Sequence, residues 1–280
     1  MTTEALAQTP LEAKSPFEMR VHLGDDVPES DVKSALKTGD IGFLHSFTTG
    51  SFVDGPGIRL VAWTTACMFR CQYCHNPDTW TLSNGIPVTL EKAVEEARKY
   101  ADGLKRMGGG FTLSGGEPLM QDRFAVRLFG AVQDMGVHTA IETNGYFGER
   151  LSDEELGLID LVILDMKAHS LDRHKIVTGI GNADVLEFCD RLASLRRPMW
   201  LRYVLAPGLT DLPEEMAAVA QFGASLGVVE RAEILPFHQL GKYKWERLGL
   251  NYKLAATDPP TNESIATAVA IFREAGLKAD

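Results

Sequence analysis

Three cysteines fall within eight residues, Cys67-Met-Phe-Arg-Cys71-Gln-Tyr-Cys74, in a chain of 280 residues that has four in all. Thiolates at spacings of four and three can meet on one soft inorganic centre, and cysteine runs of this kind hold iron–sulfur clusters. A fully ligated cubane needs a fourth thiolate, so one iron would stay open to another ligand, as in reactive rather than structural metal sites. A structural zinc site is the main alternative, although it usually takes four protein ligands. His75 follows Cys74 directly, and adjacent residues rarely bend back onto one small ion. A Cys-x-x-Cys redox pair accounts for Cys71 and Cys74 but leaves Cys67 without a role. Cys189 lies in an apolar, helix-like stretch and reads as a buried thiol.

Further polar constellations recur along the chain: Ser114-Gly115-Gly116-Glu117-Pro118, Glu142-Thr143-Asn144-Gly145, Asp165-Met166-Lys167, Arg202 and His238. A glycine pair usually marks a tight turn, but it also lets backbone N–H and C=O groups approach a ligand. Asp165 and Lys167, two apart on a strand, share one face. They form either a rim ion pair of small energy or a clamp for a ligand carrying both an amine and a carboxylate. Arg202 and His238, each taken alone, read as an ordinary ion pair and a strand-end cap.

The elements that must position these residues follow from periodicity. Apolar, β-branched runs occur at Ile58–Ala66, Gly110–Ser114, His138–Glu142, Leu161–Met166, Met199–Leu205 and Ala232–Phe237. Between or after them come amphipathic patterns at Leu90–Leu104, Arg123–Met135, Ser152–Leu158, Ala183–Leu195, Pro213–Leu226 and Glu263–Ala275. Strands alternating with helices imply an α/β fold of βαβ units with a parallel sheet, curled into a full or partial barrel. An open doubly wound sheet is the competing arrangement. In a barrel, chemistry gathers on the loops after the strand C-termini, and nearly every unusual residue above falls there, with Arg202 inside the fifth strand.

Bulk properties narrow the function. The net charge of −10 argues against a nucleic-acid surface. No apolar run is long enough to cross a bilayer, and Met1–Lys14 has no secretory pattern. Free thiols then suit a reducing cytoplasm, and disulfides are not expected. Residues 1–40 read as a polar, weakly ordered extension, with Pro10, Pro16 and Pro28 and acids at Asp25, Asp26, Glu29 and Asp31. A short helix is expected near Ser30–Lys37, and the catalytic domain covers residues 41–280.

With these residues in view, Cys67-x-x-x-Cys71-x-x-Cys74, with Tyr73 before the last cysteine, resembles the signature of the radical S-adenosylmethionine (SAM) enzymes. Gly115-Gly116-Glu117-Pro118 resembles their methionine-binding segment. Phe52-Val53-Asp54-Gly55-Pro56-Gly57-Ile58-Arg59, Tyr73-Cys74-His75-Asn76, Asp165-Met166-Lys167 and Leu235-Pro236-Phe237-His238-Gln239-Leu240-Gly241-Lys242 resemble the glycyl-radical activating enzymes, specifically those acting on pyruvate formate-lyase. Between Cys74 and Gly115 there is no cysteine, so the ferredoxin-like insert of many other activases is missing.

The resemblance implies a partial (β/α)6 TIM-like barrel with a [4Fe–4S] cluster on Cys67, Cys71 and Cys74. SAM would chelate the open iron and lie against Tyr73, Cys74, His75 and the backbone of Gly116. Asp165, Met166, Lys167 and His238 would hold its ribose and methionine ends, with Arg202 a further contact. A monovalent cation would sit on Glu142, Thr143, Asp165 and the backbone of Ile163. At the position of Glu142 the family pattern has Asp, one methylene shorter. Reductive cleavage of SAM would give a 5′-deoxyadenosyl radical that takes an α-hydrogen from a glycine of the partner enzyme. Reduced flavodoxin or ferredoxin would supply the electron. Trp245 and Tyr252 read either as core packing or as lining for the partner's loop.

Overall fold

The computed structural model describes residues 32–280. Weak order expected for residues 1–31 lies outside this range. Helix α1 (Val32–Thr38) lies against the first strand. Arg127 donates to Thr38 O at 2.9 Å and pairs with Asp40, which ties the end of this helix to the chain beyond it. Strand β1 (Ile41–Ser51) runs antiparallel to both β2 (Arg59–Thr64) and β3 (Ile86–Thr89). The remaining strands are β4 (Gly110–Gly115), β5 (His138–Thr143), β6 (Leu161–Asp165), β7 (Met199–Leu205) and β8 (Val229–Pro236).

The sheet order is β3-β1-β2-β4-β5-β6-β7-β8, with every pairing from β2 to β8 parallel. Each crossover moves one place in the same direction, whereas a doubly wound sheet reverses at a switch point. The sheet does not close on itself. The six parallel strands are the six read from the sequence, and they make a partial (β/α)6 barrel. The antiparallel β1 and the short edge strand β3 were not among those read.

Long apolar runs form these strands because both sheet faces are covered. In β6, Val162 and Leu164 pack into the large core under the helices. Leu161 and Ile163 point the other way, into a small inner cluster with Ala140 and Trp200. The outer layer comprises α2 (Leu90–Arg106), α3 (Asp122–Asp134), α4 (Asp153–Leu156), α5 (Leu171–Thr178), α6 (Ala183–Ser194), α7 (Pro213–Ser225), α8 (Lys242–Arg247) and α9 (Asn262–Glu274). Helix α2 shows the local logic. Thr89 caps it by accepting from Lys92 N, and Ala93, Ala97, Ala101 and Leu104 form its buried stripe. Helices α5 and α8 were missed. In α5, Leu171 and Ile176 are exposed while His174 and Thr178 are buried, so apolar spacing does not mark the helix. No helix among the described residues is long and apolar enough to cross a membrane.

Side-chain alternation has one consequence for chemistry. The inner face that carries Ala140, Ile163 and Trp200 carries Glu142, Asp165 and Arg202 two residues further along the same strands. An apolar floor thus turns into a charged rim at the strand C-termini.

Candidate active site

A cavity of about 330 Å³ opens at that rim and is bordered by Cys67, Cys71, Cys74, Gly116, Glu142, Asp165, Lys167 and Arg202, among others. The cysteine loop after β2 is fixed from three sides. Cys67 N donates to Trp80 O at 3.1 Å, closing the loop on itself. Arg70 N and Gln72 N donate to Thr178 O and Val177 O, at 2.8 and 3.0 Å, at the end of α5. Trp245 Nε1 of α8 donates to Cys74 O at 2.9 Å. Beneath the loop, Phe69 packs edge-on against Tyr146 and His174.

The glycine pair presses on the same loop. A Cβ at Gly116 would stand 2.3 Å from Ala66 O, a distance no side chain tolerates. Glu117 N donates to that carbonyl at 2.7 Å, and Gly115 takes φ +122°. Backbone from the β4 loop therefore borders the cavity directly beside the cysteines.

All four cysteines are free. Burial pushes the Cys67 and Cys71 thiols up and takes Cys74 to about 12. As thiols they carry no charge, and a bound metal centre must displace their protons. Three thiols bordering one cavity are a donor set of the kind that holds an iron–sulfur cluster.

Beside this loop, Lys167 Nζ lies 3.0 Å from Asp165 and 5.6 Å from the ring centroid of Tyr73. Burial works against the Lys167 charge, yet Asp165 holds it well above the ordinary value. The buried hydroxyl of Tyr73 has no hydrogen-bond partner among the described residues, an orphan polar atom that a ligand could satisfy. His75 and His238 meet edge to face at 4.7 Å. Burial, then His238 and Lys244, take His75 down to about 4, so it is neutral at physiological pH. Tyr73, His75 and His238 all border the cavity.

Three of the residues expected to touch SAM or a cation are placed differently. Met166 is fully buried in the main core and does not border the cavity. The Ile163 side chain lies below the rim, in the apolar inner cluster, and its backbone is the part expected to meet a cation. Arg202 borders the cavity but its donors are committed. It pairs with Glu142, with Glu233 at 2.8 Å, and with Val53 O at 2.5 Å. Burial opposes the Arg202 charge, and Glu142 and Glu233 more than restore it. Burial alone would raise Glu142, but Arg202 and Ser114, whose hydroxyl donates at 2.5 Å, hold it below the ordinary carboxylate value. The Thr143 hydroxyl donates to Glu117 at 2.7 Å and accepts from Gly145 N at 3.0 Å. Glu142, Thr143 and Asp165, the side chains of the expected cation site, thus each meet a protein partner.

Other residues emerge only in three dimensions. Glu117 is fully buried and accepts from Leu119 N, the Thr143 hydroxyl and Asn144 N. It locks the β4 loop to the β5 loop, and burial pushes it up to about 7. Asn144 points its amide at the sulfurs of Cys67 and Met68, each at 3.9 Å. Asp78, held by His45 and Lys244, ties the segment after the cysteines to β1 and α8. An acid after two glycines was the one available signal for Glu117. The Trp245 and Tyr252 rings stack at 4.8 Å, are buried, and lie off the cavity, which leaves core packing as their role.

A family profile described as the Radical SAM superfamily matches residues 61–222. The chain is 41% identical over 234 residues to a pyruvate formate-lyase-activating enzyme of Staphylococcus epidermidis, covering 81% of this chain and 93% of that one. It is 39% identical over 240 residues to the pyruvate formate-lyase 1-activating enzyme of Escherichia coli, covering 85% and 98%. Among solved structures, a radical SAM methyltransferase from Sphaerobacter thermophilus superposes with a TM-score of 0.58 at 16% identity, covering 91% of this chain and 81% of that one. A domain of a Bacteroides vulgatus pyruvate-formate lyase-activating enzyme gives 0.51 at 24% identity, covering 62% and 98%. These last two speak for the fold alone. The thiol triplet, the glycine-lined cavity and the sequence identity over most of the chain lead to one assignment: this chain belongs to the radical SAM superfamily, among the pyruvate formate-lyase-activating enzymes.

Proposed function

We propose that the chain activates pyruvate formate-lyase by abstracting the α-hydrogen of one glycine in that enzyme. Cys67, Cys71 and Cys74 would hold a [4Fe–4S] cluster, and the backbone of Gly116 would meet SAM. Tyr73, His75, Asp165, Lys167 and His238 would line the SAM site. When bound, the cluster and SAM supply the one-electron cleavage that yields a 5′-deoxyadenosyl radical, chemistry no side chain can perform. The protein's part is to place and shield.

The observation that carries this reading is the meeting of three thiols, the glycine pair and the Lys167–Asp165 pair on a single cavity of about 330 Å³. That volume lies within the range of small-molecule sites. Lys167 would face a carboxylate and Asp165 an amine or hydroxyl. Tyr73, whose hydroxyl is unsatisfied, would gain a partner. Phe52 and Val53, 73% and 69% exposed beside the cavity, offer apolar surface to an incoming loop. A reducing, cytoplasmic setting accords with four free cysteines. Flavodoxin or ferredoxin would be the electron donor. No step is assigned to a monovalent cation.

The test is anaerobic reconstitution with iron and sulfide, reduction, and addition of SAM together with pyruvate formate-lyase. Release of 5′-deoxyadenosine and a glycyl radical signal on pyruvate formate-lyase are expected. Deoxyadenosine without that signal would point to another glycyl-radical partner, and a colourless protein inert to SAM would end the reading.

A further inference from the structure

Asn144, in the loop after β5, reaches the cysteine loop with an amide whose orientation the fold has settled. Its Oδ1 accepts from Tyr146 N at 3.0 Å, which tells the oxygen of the amide from the nitrogen. Nδ2 then lies 3.9 Å from the Cys67 sulfur and 3.9 Å from the Met68 sulfur. The two hydrogens of the amide thus have two sulfurs as acceptors. Both distances suit sulfur, a larger and softer acceptor than oxygen.

The backbone that carries this amide is pinned as well. Asn144 N donates to the buried Glu117 carboxylate at 2.8 Å, and the Thr143 hydroxyl donates to the same carboxylate at 2.7 Å. Gly145 takes φ +76°, and a Cβ there would stand 2.8 Å from Leu164 Cδ1. Tyr146 packs its ring edge-on against Phe69 of the cysteine loop, with centroids 5.7 Å apart. Asn144 itself is buried, and it borders the cavity together with Cys67. A donor dipole is therefore held in place, largely out of water, where a sulfur ligand would carry negative charge.

We propose that the Asn144 side-chain amide tunes the redox potential of the bound cluster, donating to the Cys67 sulfur and favouring the reduced state. The inference rests on the proposed function only in taking the thiols to hold an iron–sulfur cluster. Reduction adds one electron, and part of the added negative charge falls on the sulfurs. Hydrogen bonds to those sulfurs are among the factors that set the potential of such clusters. A donor aimed at one of them stabilises the more negative state and raises the potential, the more so where the local dielectric is low. Asn144 is in this sense a positioning residue that acts through Cys67. It governs how readily the centre takes up its electron, not where the substrate lies.

The test is a redox titration of the reconstituted enzyme, without SAM or pyruvate formate-lyase. Titanium(III) citrate supplies the single electron, and electron paramagnetic resonance reads the reduced cluster. Asn144→Ser keeps a short side-chain oxygen to accept from Tyr146 N but lacks the amide, whereas Asn144→Leu keeps the bulk and loses both. Both variants are expected to disfavour the reduced state roughly tenfold, a downward shift of about 59 mV for a one-electron couple. Iron content and circular dichroism should match the unaltered protein. A midpoint in Asn144→Ser that corresponds to less than a twofold change overturns the proposal. So does a shift confined to Asn144→Leu, which would trace the effect to the turn rather than to the donor. An unaltered protein that takes up no cluster, seen in its iron content before any titration, overturns both this inference and the proposed function, so the two failures stay distinct. A wrong assignment of the activated enzyme leaves these results untouched.

Discussion

Two arginines stand at opposite ends of the inner sheet face, both almost excluded from water, and they are held in opposite ways. Arg59, at the start of β2, meets mostly neutral acceptors: the Thr112 hydroxyl at 2.9 Å, Phe111 O at 2.6 Å and His138 Nδ1 at 3.2 Å. Burial takes it down to about 10, still charged at neutral pH. Arg202, in β7, sits among carboxylates, paired to Glu142 and Glu233, with Asp54 at 3.9 Å. The Arg59 end is packed shut. A Cβ at Gly110 would stand 2.2 Å from both Arg59 Nη1 and His138 O, and one at Gly57 would stand 2.1 Å from Gly108 O. The Arg202 end opens into the cavity. One end uses a guanidinium as a strap across strand ends. The other uses it to keep Glu142 ionised beside the cavity, in keeping with the division of labour between the two faces of such barrels.

The contrast predicts how each end fails. Cys71→Ser, at the open end, should lose the iron–sulfur absorbance and lower activation by more than about a hundredfold, beyond the range for residues merely supporting a metal site. Its circular dichroism should be unchanged. Retained activity would remove the chemistry from this end.

Arg202→Met should cost about 3–5 kcal/mol at pH 7, because it strands Glu142 as a buried charge, whereas Glu233 keeps Arg231 at 3.5 Å. In the unaltered protein Glu142 is held below its ordinary value, so its contribution is present above that value and lost as pH falls through the lower one. In the variant the sign reverses: the stranded Glu142 takes up a proton, and stability rises as pH falls from 8 towards 5.5. Urea unfolding at the two pH values measures this. A loss under about 1 kcal/mol would mean the acids find other partners.

Arg59→Met should cost about 2 kcal/mol by leaving Phe111 O and Thr112 less well satisfied. Its iron content and its activity per folded molecule should remain normal. Impaired activity without a fall in stability would break the distinction between the ends.

The smallest effect concerns Glu117, at the open end but without a cation of its own. Burial pushes it up to about 7 from an ordinary 4.5, so in that window the folded chain holds a proton that the unfolded chain has lost. Stability therefore declines as pH rises through the window, by about 1 kcal/mol per pH unit near its centre. Asp54, raised to about 6 by burial and by Glu142, adds a slope of the same sign. Glu117→Gln should flatten the profile while leaving the Asp54 part. An unaltered slope would show that Glu117 stays ionised in the fold.

Much of this arrangement was legible before any coordinates. Continuous apolar, β-branched runs such as Leu161–Leu164, against the helical spacing of Ala93, Ala97, Ala101 and Leu104, located the parallel strands and most of the helices. Cysteines and glycines at short spacings announced the reactive loop. Helix α5 escaped because its buried set, His174, Val177 and Thr178, includes polar side chains satisfied only by the fold: the Thr178 hydroxyl donates to His174 O, and His174 Nδ1 lies 2.7 Å from Ile180 O. The family pattern singled out Glu142, but nothing local announced that Arg202, sixty positions later, pairs with that carboxylate.

By itself the sequence determined which residues alternate, which segments coil, and which thiols and glycines lie within one loop's reach, because those depend on covalent spacing and local backbone geometry. Only the tertiary structure decided which buried charge meets which. Parallel register sets Asp165 beside Arg202 and Arg202 beside Glu233, and chain return sets Trp245 on Cys74. Such pairings join residues far apart along the chain, and the cost of burying a charge alone is the physical reason they form.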